Sequence, residues 1–227
     1  MTESFGSDAT TLLRLLAGLP LRWEGKASVL ELQGADDKWR EPEWWAVYFQ
    51  YVCRLAFREG FRCPGDSFGG VNCDLMRSVN WDLRSKAIKS DTTYTVLNDV
   101  EATRLSIAKC GEYGVVVGLC DVGFDESRAF QRWRSALEGV PSNPEKGIEN
   151  QKAVSRYQKT RAVLTELLIL RFTKKDLNSL GTVRPSRNSS DLRREKYLLD
   201  LEDIDDFLVG RIEFVPLDVP TGLYQPR

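Results

Sequence analysis

Apolar residues recur at helical spacing in residues 9–17 (ATTLLRLLA), and that run stops at Gly18-Leu19-Pro20. The clearest helix follows Pro42, in EWWAVYFQYVCRLAFREGF. Proline and acids stand in its first turn, and Trp44, Val47, Tyr48, Tyr51 and Leu55 fall at helical spacing. That aromatic stripe predicts core packing before it predicts a binding platform. Residues 27–33 (ASVLELQ) fit a short strand or a helix. Cys63–Gly70 (CPGDSFGG) is a turn-rich connector, and beyond it the period shortens. VNCDLMRS and WDLRSKAIKS are β-like runs separated by Val79-Asn80, which predicts a hairpin. Asn98-Asp99 is an N-cap signal for a helix through VEATRLSIAKCGEYG, stopped by glycine. YGVVVGLCDVGF is continuously apolar, as in a strand buried on both faces. Asp125 can cap the following helix, ESRAFQRWRSALEG, which Gly139 and Pro141 end.

Further on, residues 141–160 are polar and loop-like, and RAVLTELLILRF fits either a strand or a helix. TKKDLNSLGTVRPSRNSSDLRREK predicts a second loop, and YLLDLEDIDDFLVGRIEF a closing helix or strand pair. The central order of strand, strand, helix, strand, helix predicts an α/β fold, with α+β the alternative: a mixed central sheet flanked by helices. A length of 227 residues suits one domain over 1–227. Within it we expect a helical part at 1–62, an αβ core at 71–140, a basic segment at 146–196 and an acidic part at 197–227.

Composition narrows the chemistry. There is no histidine, which removes Ser-His-Asp and Cys-His catalysis and histidine-ligated zinc. The five cysteines form no CxxC pair, so zinc-ribbon spacing is absent and structural thiols are expected. No run approaches the roughly 20 apolar residues that span a bilayer. The N-terminus is acidic and polar before its apolar patch, the wrong order for a signal peptide, so a cytoplasmic protein with no membrane contact is expected. Net charge is −1, yet it is uneven: residues 146–196 carry +8, residues 197–227 carry −5 and the first 145 carry −4. A basic block inside a neutral chain is the trace an anionic partner would leave.

The hairpin holds the main candidate for chemistry. Asp74 lies on one run, while Asp82, Arg84 and Lys86 alternate along the next and so share a face. Two carboxylates across a hairpin can hold a hard cation such as Mg²⁺. A cation beside them can orient water or stabilise charge on a phosphate, the logic of phosphodiester hydrolysis, and none of this needs histidine. The plain alternative is a solvated face of cross-strand ion pairs. Glu31 and Glu43 could add a carboxylate. Two basic stretches suit nucleic acid: Lys152, Arg156, Lys159 and Arg161 around Tyr157, then Arg187 and Arg194 in the Arg/Ser/Asn-rich loop. No P-loop and no GxGxxG after a strand occurs, so no nucleotide cofactor is expected.

On these residues the hairpin, helix and buried strand at about 71–122 resemble the core of the PD-(D/E)XK nuclease superfamily, which includes most type II restriction endonucleases. The resemblance implies that Asp74 and Asp82 bind Mg²⁺, with Arg84 where lysine is usual and Lys86 facing the same way two residues on. The pattern departs from the family in three respects: no proline precedes Asp74, the Asp74–Asp82 spacing is short, and Arg84 cannot deprotonate as lysine can. Asp66 is a substitute for the first acid. The expectation is a Mg²⁺-dependent endonuclease that acts on double-stranded DNA as a homodimer, since two-fold sites suit two-fold proteins. Its rivals are a non-catalytic DNA-binding regulator and a protein-interaction module whose acidic tail pairs with its own basic block.

Overall fold

The apolar run that opens at Tyr113 lies where its composition demands, inside a sheet covered on both faces. A computed structural model describes residues 4–64, 73–90, 92–124, 127–139, 159–184 and 194–214. Helix α1 (Phe5–Leu16) starts at an N-cap, Ser4, whose hydroxyl accepts from the Ser7 amide. Strand β1 (Arg22–Glu24) leads into α2 (Gly25–Gly34), so the ambiguous ASVLELQ is helical. Its buried Gly25, Ser28, Val29 and Leu32 show the i, i+3, i+4, i+7 spacing that decides the matter. Helix α3 (Trp44–Phe57) is the expected aromatic helix. Its buried face runs through Trp44, Trp45, Tyr48, Phe49, Val52 and Phe57, while Tyr51 and Leu55 of the predicted stripe are only partly covered.

The hairpin follows as β2 (Leu75–Met76) and β3 (Asn80–Ala87), paired antiparallel. Next comes a strand that the sequence pattern does not predict, β4 (Tyr94–Asp99), and then α4 (Val100–Cys110). As expected, Asp99 caps α4, accepting from the Glu101 and Ala102 amides, and Gly111 ends it at φ 82°. Strand β5 (Tyr113–Phe124) runs parallel to β3, with Asp82 opposite Val115 and Arg84 opposite Val117. Helix α5 (Ala129–Glu138) begins later than predicted, after Arg128 in the left-handed region, and ends at Gly139. The proposed Asp125 cap lies outside the described residues.

RAVLTELLILRF is a strand, within β6 (Lys159–Phe172), antiparallel to β5. Its other edge is shared by β1 and by β9 (Leu208–Glu213). The mixed sheet thus runs β1-β6-β5-β3-β2, with β9 also on β6. A second, antiparallel sheet has the order β4-β8-β7, from β7 (Gly181–Val183) and β8 (Lys196–Asp200). Of the two expectations for the closing segment, two strands rather than a helix are found, but they do not pair with each other: β8 and β9 belong to different sheets, with a 3-10 stretch, Leu201–Asp206, between them.

One hydrophobic cluster joins α1, α2 and α3 to Trp81, Leu83, Val116, Leu167 and Ile169. The other joins Tyr113, Val115, Val117, Leu168, Leu170 and Phe172 to Ile107, Tyr197, Leu199 and Phe207. Successive residues of β5 and β6 thus enter different clusters, as period-two alternation requires. No helix among the described residues is long and apolar enough to cross a membrane.

The Trp81 indole lies flat against the backbone of β5. A Cβ at Gly114 would come within 2.2 Å of its ring. Gly114→Ala is expected to lower the urea unfolding free energy by about 1–3 kcal/mol. Gly34→Ala, whose Cβ meets nothing within 4 Å, should leave that free energy equal or higher.

Candidate functional site

Parallel pairing with β5 turns Asp82 and Arg84 of β3 towards the same side as Val115 and Val117. Trp81 and Leu83 point the other way, into the first cluster. The carboxylate of Asp82 is therefore carried under α4 and β4, with the residue 1% exposed. A buried carboxylate must find donors. Arg84 Nη2 lies 2.6 Å from Asp82 Oδ2, and the Asn98 side-chain amide donates to Oδ1 at 3.2 Å. The same Asn98 nitrogen lies 3.3 Å from the Tyr113 hydroxyl. Arg84 Nε is buried with no hydrogen-bond partner among the described residues.

Asp74 immediately precedes β2, where the hairpin's backbone pairing ends. Its amide donates to the Trp81 carbonyl at 2.9 Å, and its Oδ2 accepts from the Leu83 amide at 2.7 Å. The side chain thus stands in for the next strand carbonyl. This brings a second negative charge close enough to act on Asp82.

Burial pushes Asp82 up from the ordinary carboxylate range to about 6; Arg84 pulls it down, and Asp74 pushes it further up. Burial followed by the Asp82 charge also holds Tyr113 well above its usual value. Cys73, buried beside both acids, is pushed up to about 12, so its thiol stays protonated and inert. All five cysteines are free, consistent with the structural role expected of them.

Lys86 stands apart from the acidic pair. Its Nζ donates to the Tyr94 carbonyl at 2.7 Å and to Thr92 Oγ1 at 3.0 Å, and partial burial lowers its pKa. The spare carboxylates are also committed: Glu31 accepts from the Tyr48 hydroxyl, and Glu43 accepts from Trp45 Nε1 and Lys159. Among the described residues no group of three or more Cys, Asp or Glu side chains forms a metal cage. Asp66 lies outside them.

Of the basic residues, Lys152, Arg156 and Arg187 fall outside the described residues. Lys159 does not extend freely into solvent: its Nζ lies 2.5 Å from Glu43 Oε2 and 5.4 Å from the Trp45 ring. Arg161 is exposed on β6, next to Gly123 of β5. Arg194 is exposed ahead of β8, in the other sheet. Among the described residues no ion pair joins Asp200–Asp206 to the basic segment, whose Arg184 and Arg171 meet Glu195 and Glu112. Two surface grooves, of about 620 and 810 Å³, are lined by that acidic stretch and by Arg104, Lys174 and Lys175; neither is lined by Asp82.

Asn98 and Tyr113 join the site through tertiary contacts; in the sequence Asn98 reads only as part of a capping signal, and Tyr113 only as the start of an apolar run. No family model matches the sequence, no curated protein matches it significantly, and no solved structure matches the fold significantly.

The carboxyl carbon of Asp82, followed by NMR, should titrate with a midpoint near 6, and Asp74→Asn should lower that midpoint by removing a like charge. Because the folded state then binds the extra proton, the Asp82 contribution to stability falls as pH rises from about 4 through about 6. A wild-type midpoint near the ordinary value of about 4 would contradict this placement.

Proposed function

We propose that the chain is a divalent-cation-dependent endonuclease that cuts double-stranded DNA, of the restriction type and active as a homodimer. The observation that carries this reading is the unpartnered Nε of Arg84 beside the buried Asp82. A buried donor left without an acceptor costs about 1–3 kcal/mol, so its retention points to a partner supplied from outside. A phosphate oxygen has the charge and the lone pairs to be that partner.

Asp74 and Asp82 supply two hard oxygen ligands, and this set fits Mg²⁺, which binds through one or two carboxylates and keeps several waters. Such a cation, when bound, neutralises phosphate charge and acidifies water. Arg84 must then leave Asp82 Oδ2 and turn its guanidinium to the phosphate. Exposed Arg161 and Arg194, together with the basic segment around them, would hold the DNA backbone. Two-fold DNA sites motivate the homodimer.

A second reading rests on the same ion pair. Arg84 already neutralises Asp82 without a cation, which favours a DNA-binding protein with an inert site.

Incubating purified protein with plasmid DNA and Mg²⁺ separates the two. Nicking or cutting should occur with the wild type and fall at least about a hundredfold in Asp82→Ala. DNA binding with no cleavage across a range of plasmid sequences would leave the inert regulator. Under either reading, Arg161→Ala and Arg194→Ala should each reduce the salt slope of DNA binding by about one.

A further inference from the structure

We infer that Asp8, on the N-terminal helix, is a positioning residue for the acidic pair on the hairpin. It is 0% exposed, and its carboxylate gathers donors from a turn seventy residues away. Asp8 Oδ2 accepts from the Ser78 amide at 2.9 Å, the Val79 amide at 3.3 Å and the Trp81 indole at 3.2 Å. Oδ1 accepts from the Ser78 hydroxyl at 2.8 Å and lies 3.7 Å from Arg77 Nε. Two further contacts tie α1 to the same turn. Arg77 Nη1 donates to Thr11 Oγ1 at 2.8 Å, and the Phe5 and Trp81 rings lie 4.7 Å apart.

The hairpin needs such an external clamp. Strand β2 is only two residues long, and its pairing with β3 is confined to Leu75–Trp81 and Met76–Asn80. So short a ladder is marginal by itself. Strand β3 is itself held by eight residue pairs with β5, so a slip between the two strands of the hairpin would displace Asp74 and take its carboxylate from the Leu83 amide. The carboxylate of Asp8 binds every residue of the 77–79 turn as well as Trp81. From Trp81 the ladder passes directly to the site: the Trp81 carbonyl accepts from the Asp74 amide, and Asp74 takes the Leu83 amide. Asp8 touches neither Asp74 nor Asp82 in these contacts. It acts through the turn.

The consequence for cleavage rests on the nuclease reading; the consequence for hairpin register does not. Two measurements on Asp8→Asn therefore test the inference together. In amide hydrogen exchange, protection of the Leu83 amide should fall at least about tenfold relative to Val116 and Leu168 in the central strands. In plasmid cleavage, kcat should fall at least about tenfold while KM for DNA stays within about twofold, because DNA contacts lie elsewhere. Ser78→Ala removes one of the same bonds and should shift both quantities in the same direction by less. It decides the matter by the same criterion if Asp8→Asn does not fold. Leu83 protection that is unchanged, or that falls equally along the whole sheet, would overturn the positioning role. A wild-type protein that cuts no DNA would sink the nuclease reading, while the exchange result would still decide the role of Asp8.

Discussion

A buried carboxylate, Asp82, held by the partly exposed guanidinium of Arg84 sets the terms for this fold. Removing the Asp82 carboxylate from water costs several kcal/mol, and the attraction of Arg84, whose side chain is still 23% exposed, offsets this only with good geometry and further hydrogen bonds. The surroundings supply some of these. Asn98 donates to Asp82, and Asp99, next to it, caps α4 and so holds the Asn98 end of β4 in place. Arg84 Nε, by contrast, has no partner among the described residues.

The rest of the architecture serves to present that pair. Strands β5 and β6 are buried on both faces, which makes the mixed sheet a rigid floor. Strand β3 is fastened to it in parallel through eight residue pairs, so its alternation cannot drift. Gly114 lets the Trp81 indole lie against the sheet, and the other face of the strand then carries the charges. The weak part is the short strand β2, and there polar contacts replace ladder: Asp74 caps β3 from one side while α1 clamps the turn from another.

What was legible in the sequence follows from which signals are local. The hairpin and α4 could be read because turn residues, an N-cap and a stop glycine mark them within a few positions. Asp82 and Arg84 could be placed on one face from alternation alone. Strand β6 could not be distinguished from a helix, because a strand covered on both faces has no polar period to reveal. Strand β4 went unseen because its alternation, with Thr95 and Leu97 inward, runs straight into the capping signal of α4. Asn98, Tyr113 and Asp8 join the site or its support only through tertiary contacts. Lys159 resembled a DNA contact for the same reason: its partner, Glu43, lies 116 residues away.

The proposed nuclease activity requires Asp74 and Asp82 to hold a hard divalent cation although Arg84 lies on one of them. Mn²⁺ binding followed by electron paramagnetic resonance tests this most directly. If the two acids do hold it, Mn²⁺ is bound by the wild type, lost in Asp82→Asn and kept in Glu43→Gln. Absence of bound Mn²⁺ in the wild type, or binding indifferent to Asp82→Asn, would contradict it.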